Sequence, residues 1–450
     1  MGLTELPLEL IKTIAEALEY ERDINVLVQT CRRLYQALNT FLYRNNIRNF
    51  AGSGLATAAA AGIEPAVKRF LDEGANYNAF TSRTPLIQAT IFGHNSVVEL
   101  LVRRCPNLHL DAQDNINFRS ALFWAASLEN EELVTLLLAK GADINLTDDY
   151  GDSPLIVVAE GGSTKAVKWL LNNGADVEHK NKLGDNALTI AVEYGNEEII
   201  KLLLEKDVDI DVMNGGDHTA LSLAAEQGHL GIVKLLLQKG ASTNVVNENG
   251  MSPLAVAAEG GHVETMEILI ENGADINFRD SNGSCPLIIA MDDNHISAFK
   301  LLLEKGADIE NEDDTGSTPL HVAAPLENKE FTKLLLERGA NIETQDSGGN
   351  TPLSSVMSKG SLESATLLLD HGANIETREE DEKTPLFIAS CSGNIDLVKL
   401  LLERGASVNV KDRFGRTPLS VAIANNNVML RDILVEKGAC SHDINTASRN

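Results

Sequence analysis

Triplets of the form Thr/Ser-Pro/Ala-Leu, with Asn186 and Cys285 in the first place of two of them, return every 33 residues along most of this chain, with their leucines at Leu155, Leu188, Leu221, Leu254, Leu287, Leu320, Leu353, Leu386 and Leu419. A fixed period kept over nine registers restricts the fold to a linear stack of one repeated supersecondary unit. Each unit of such a stack buries its apolar face only against its neighbours. The 450 residues therefore need not split into the roughly three globular domains that length would suggest. A stack presents a long surface rather than one deep pocket. Binding is the default expectation, and catalysis has to be argued for.

The unit that begins at Ser252 shows how the period becomes structure. Ser252-Pro253-Leu254 reads as a helix start, with the hydroxyl capping the first turn and the proline where a missing N–H costs nothing. Leu254, Ala257 and Ala258 form a stripe at i, i+3, i+4. Gly261 permits a tight turn into a second helix, and Gly273 ends that helix in a left-handed conformation. Asp280-Ser281-Asn282-Gly283 then reads as a turn.

This pattern resembles the ankyrin repeat. The resemblance covers about residues 53–445 in twelve units, whose first-helix leucines are Leu55, Leu86, Leu122 and the nine above. It implies an all-α fold, an ankyrin-repeat α-solenoid with β-hairpin-like fingers, over residues 51–445, followed by a short tail at 446–450. The helix-ending glycine stands nineteen residues after the leucine in ten units; Cys105 and Asp207 replace it in the others. Asp207 is accordingly expected to be strained in a left-handed conformation. Only His321 follows a Thr-Pro-Leu triplet as the family's histidine does, so the inter-repeat hydrogen bond of that residue is expected to be mostly absent. The step from Leu86 to Leu122 is 36 residues, which predicts an irregular finger near 105–118. His94, His229, His262 and His295 share one register at a turn and read as structural.

Residues 1–50 do not follow the repeat. Leu6, Pro7, Leu10, Ile11, Ile14 and Leu18 suggest one short helix with an apolar face, and Leu27 and Cys31, with Leu34 and Leu38, suggest another. Three short helices with more apolar surface than fifty residues can bury are expected. The run Leu6-Pro7-Leu8-Glu9-Leu10-Ile11 followed by Cys31-Arg32-Arg33-Leu34 resembles an F-box, although the family's tryptophan is replaced by Phe41 and Tyr43. That resemblance implies a Skp-type adaptor and a cullin complex as partners, with Leu6, Pro7, Leu10, Ile11, Ile14, Leu18, Leu27 and Cys31 at the adaptor contact. The other reading is an ankyrin-repeat scaffold or transcriptional co-regulator, with this segment serving only as an N-terminal cap for the solenoid.

The net charge is −27, and residues 1–50 hold six acidic and six basic side chains, so the excess lies in the repeats. That argues against nucleic acid as a ligand, since such binders concentrate Lys and Arg, and it suits a protein partner with a basic segment. The five cysteines, Cys31, Cys105, Cys285, Cys391 and Cys440, are scattered and form no CxxC, as expected of a reducing compartment. No leader and no membrane-length apolar run is evident. The expected location is cytoplasm or nucleus.

No phosphate loop, HExxH or GxSxG is present, so no catalytic residue, metal or cofactor is expected. Gly161-Gly162-Ser163-Thr164-Lys165 falls where the register demands a turn between helices. Five residues after the repeat leucine, consecutive units carry Glu160, Glu193, Glu226, Glu259 and Asp292, the candidate docking stripe for a basic segment. Like charges about 10 Å apart in water repel by only about 0.4 kcal/mol, so such a stripe is easily tolerated. Tyr194, one position on, adds an aromatic anchor. Arg413, Phe414 and Arg416 form a candidate basic finger. These residues complete the candidate partner-binding groove.

Overall fold

Each repeat leucine opens a short helix because a hydroxyl or amide two residues earlier closes the first turn. The computed structural model describes residues 53–359, 361–379 and 381–440, together with 43, 44 and 47. Ser252 Oγ accepts from the Ala255 N–H at 3.3 Å, Ser153 and Thr219 do the same in their units, and Asn186 Oδ1 takes the role at 2.9 Å from the Thr189 N–H. Cys285 stands at this position without a side-chain cap, and its buried thiol is pushed above its ordinary pKa by that burial. Behind the cap, Leu254, Ala257 and Ala258 are fully buried, as the stripe predicts.

Among the described residues there are 24 helices in twelve antiparallel pairs and no strand. The chain divides into two compact units at Gly215 and Gly216. The first holds five pairs, from Ser53–Ala60 with Glu64–Asp72 to Ala187–Glu193 with Glu197–Leu203. The second holds seven, from Ala220–Glu226 with Leu230–Gln238 to Pro418–Ala424 with Val428–Glu436. Within each unit first helices pack on first helices of the next pair, and second helices on second helices. The cores are Ala, Leu, Ile and Val with a few aromatics, because small side chains let short helices approach closely. The candidate adaptor residues Leu6, Pro7, Leu10, Ile11, Ile14, Leu18, Leu27 and Cys31, and the three-helix expectation, lie outside the described residues.

The fingers are turns rather than hairpins. Asp280 Oδ1 accepts from the N–H groups of Asn282 and Ser284 at 2.8 Å each, and Gly283 donates to the Asp280 carbonyl at 3.0 Å. Successive fingers are tied through the backbone, Lys182 N–H to Tyr150 O at 3.1 Å in the first unit and Ser281 N–H to Asn249 O at 2.9 Å in the second. A second tie runs from a side chain to the backbone of the following unit. Glu178 accepts from Asp209 N–H, Glu310 from Asn341, Glu343 from Asn374 and Glu376 from Ser407, each at 2.7 Å. Part of the acidic excess is therefore structural, since each of these carboxylates closes a charge-assisted bond between neighbouring repeats.

Besides the helix-ending glycines such as Gly273 (φ 90°), two registers of the repeat commonly take a positive φ. One precedes the repeat leucine by four residues, as at Gly283 (φ 79°); the other follows it by seven, as at Gly261 (φ 66°). Phe118, Asp217 and Glu382 occupy the first register, and Glu129, Asn294 and Asn426 the second, all with φ between 53° and 60°. Asp207 is not among them, which corrects the expectation of left-handed strain there. Without the glycine, its helix stops at Leu203, seven residues long, and the chain leaves through Leu204 and Lys206 in another path. Cys105 likewise leaves its helix in extended conformation, φ −110°. Asp207→Gly should therefore not stabilise, and added backbone freedom should cost about 0.5–1 kcal/mol. Phe118→Gly should instead gain on the order of 1 kcal/mol, because a bulky residue is held left-handed. Thermal midpoints of the two variants check this; a gain at 207 with none at 118 would contradict the assignment.

Candidate partner-binding face

The sequence stripe maps onto the last residue of five first helices. In the first unit, Glu160 and Glu193 end Pro154–Glu160 and Ala187–Glu193; both are exposed. In the second, Glu226, Glu259 and Asp292 end Ala220–Glu226, Pro253–Glu259 and Pro286–Asp292, and are exposed as well. The register exposes them because the two residues before each are alanine, valine or methionine packed into the core.

The carboxylates interact. Glu259 is held above the ordinary carboxylate range, first by partial burial of its carboxyl, then by Asp293 and Glu226, with His218 pulling the other way. A carboxyl whose folded pKa is raised adds stability that is present at low pH and lost as pH rises through the folded pKa. Glu259→Gln should then leave the protein equally or more stable at neutral pH, and the difference should vanish below the carboxylate range. Urea midpoints at the two pH values check this; a clear loss at neutral pH would show that the charge is needed for folding.

Tyr194 is 54% exposed and joins two repeats: its hydroxyl donates to Glu160 Oε1 at 3.0 Å. That bond and the Glu160 charge raise the phenol above its ordinary pKa. Phe92 and Leu128 share its register and are also exposed, whereas Leu326 is half-buried. The first unit adds a cluster that the periodicity concealed. Asp114 and Asp148 are buried at finger bases, where Arg83 and Arg119 pair with them at 3.3 and 3.0 Å. Both guanidiniums lie over the Trp124 ring, and the indole N–H donates to Asp114. Burial pushes Asp114 upward, yet hydrogen bonds from Asn117, Trp124, Arg119 and Ile116 outweigh it and hold the carboxyl below its usual range. Arginine three residues before the leucine in two successive units was the only sequence signal for this pairing.

A family model for ankyrin repeats in sets of three matches residues 55–148, 122–214, 155–247, 221–313, 287–379, 344–412 and 376–447. The chain belongs to the ankyrin-repeat family. Its repeats are protein-interaction modules, a class generally without catalysis of its own. Over 107 residues it is 32% identical to ankyrin repeat and SAM domain-containing protein 6 of Mus musculus, covering 23% of this chain and 12% of that protein. The solved ankyrin repeat domain of human ASB11 is similar at a TM-score of 0.45 and 28% identity, over 50% of this chain and 99% of that one.

One further feature differs from its sequence reading. The Arg413–Arg416 finger is less basic than its composition. Arg413 pairs with Asp381 at 2.8 Å, and Arg416 with buried Asp412 at 2.7 Å. Both stack on Phe414, which stays 60% exposed, so the finger presents an aromatic tip whose two guanidiniums are matched by carboxylates. His321 does make the expected contact, Nε2 to Asn350 O at 3.0 Å, while its Nδ1 accepts from Thr318 N–H. Thr189, Ser354 and Ser420 supply only the second half of that arrangement, each accepting from its cap residue's N–H.

Two of the four shared histidines make structural contacts between repeats. His94 and His262 reach back to the carbonyls of Ala60 and Glu226 at 3.0 and 2.8 Å. Among the described residues, no group of three metal-binding side chains converges and no helix is long and apolar enough to cross a membrane.

Proposed function

We propose that this ankyrin protein is a non-catalytic receptor subunit of a cullin–RING ubiquitin ligase. Residues 3–48 would hold a Skp-type adaptor, and the first helices and fingers would capture a protein substrate that presents a basic segment. The observation that carries the reading is the order of two motifs in one chain: Leu6-Pro7-Leu8-Glu9-Leu10-Ile11 with Cys31-Arg32-Arg33-Leu34, then a long ankyrin array. An apolar segment of that kind needs a cover, and an adaptor supplies one. The exposed acids of the first helices suit a basic substrate, whose encounter they would accelerate. Deleting residues 1–48 should abolish co-purification with Skp and cullin subunits while the array keeps its helical signal. Association that survives the deletion, or that is absent with the full chain, would defeat the reading.

A second reading has its own observation. The Tyr43 ring meets Phe70 edge-on with centroids 4.3 Å apart, and Arg44 pairs with Glu73 at 2.9 Å. Both contacts fall on the second helix of the first pair, Glu64–Asp72, and its end. They support residues up to 48 as a cap for an ankyrin scaffold. Under that reading the same deletion would loosen the first pair and leave adaptor association at background with either protein.

A further inference from the structure

At the position after Glu160 the first unit carries Gly161, where the same register holds Leu128 before it and Tyr194 after it. The backbone does not require this glycine. Its φ is −67°, and an added Cβ would meet only carbonyl oxygens of Val157 and Val158 at 3.5 and 3.9 Å. Gly260, at the same register in the second unit, is different: a Cβ there would lie 2.6 Å from the His262 ring. Gly161 has Ser163 in place of that histidine, so neither strain nor a neighbour accounts for it.

What the missing side chain leaves is a hollow of about 340 Å³. Val157 and Val158 give it apolar wall, Glu129 and Glu160 give it carboxylates, and Tyr194 lies alongside; none of its lining residues is cationic. The Tyr194 hydroxyl is tied to Glu160, which fixes the ring and one carboxylate relative to each other. A long side chain with an apolar stem and a cationic head matches this lining. The stem would lie on valine, while the head would meet two carboxylates and a phenol ring.

We propose that the hollow beside Gly161 reads a single lysine or arginine of the captured protein, an assignment that rests on the first-helix face being the receptor surface. The occupant is thus a protein segment with one basic side chain placed to enter, beside an apolar residue for exposed Leu128. The acids set the sign of the charge, and the two valines take the apolar stem.

The full chain is presented with short amidated peptides that carry Lys, Arg, citrulline or norleucine at a central position between randomised neighbours. Lys- or Arg-centred peptides are expected to bind at least about tenfold more tightly than the citrulline and norleucine sets. Gly161→Leu, which the backbone accepts, should erase that preference with helical signal and thermal midpoint unchanged. Glu160→Gln should reduce it without removing binding. Equal binding of norleucine and lysine peptides, or no preference for any central residue, would overturn the proposal. So would a basic preference untouched by Gly161→Leu, which would place recognition elsewhere on the first-helix face. None of these measurements involves the adaptor, so failure of the hollow and failure of the ligase reading are separable.

Discussion

Phe331→Ala is expected to destabilise the second unit by about 3–5 kcal/mol and to unfold its middle before its ends. Phe331 and Phe299 are fully buried and meet edge to face with centroids 4.9 Å apart. They join the second helices Ile296–Glu304 and Lys329–Glu337 of neighbouring pairs. The first helix between them, Pro319–Ala323, is only five residues long, because Pro325 lacks the N–H that another turn would use. The aromatic pair therefore carries a larger part of this interface than apolar pairs do elsewhere. Such pairs add about 0.5–1.5 kcal/mol beyond their burial. Because each repeat touches only its neighbours, the loss should stay regional. Hydrogen exchange should show amides of residues 296–337 opening first. One transition, shifted equally for every helix, would contradict the prediction.

Gly261→Ala is expected to cost about 2 kcal/mol or more, and Gly273→Ala about 1–2 kcal/mol. Both glycines are left-handed, with φ of 66° and 90°, so alanine is strained at either. They differ in surroundings. A Cβ at 261 would lie 2.4 Å from Nδ1 of His295, whereas at 273 nothing lies within 4 Å. The excess at 261 is therefore the cost of displacing the ring of the following unit. His295→Ala added to Gly261→Ala should return that excess and no more. Equal losses for the two single variants in urea titrations would show that the ring yields freely.

The comparison of Asp207 with Phe118 shows where sequence reading stops. The repeat period, the hydroxyl caps and the Leu-Ala-Ala stripe are local, set within a few residues by hydrogen-bond geometry and side-chain spacing. All are visible in the chain and present in the helices. A glycine missing from its register can mean a strained substitute or a shortened helix, and only packing decides which. At 207 the helix shortens; at 118 the strain is kept, because the Asp114 finger and the Arg119–Asp148 pair fix the backbone on both sides.

The same limit governs charge. Exposure of Glu160, Glu193, Glu226, Glu259 and Asp292 follows from a helical register, and the sequence alone determined it, as it determined the repeat, the helix pairs and the family. It could not show that Arg413 and Arg416 are matched by Asp381 and Asp412, that Glu178 and Glu310 tie neighbouring repeats, or that Gly161 leaves a hollow beside Tyr194. Most of these depend on side chains some thirty residues apart, brought within reach by the docking of one repeat on the next. Tertiary structure decided them, because a pairing energy falls off over a few ångströms and a linear period does not specify distances of that size.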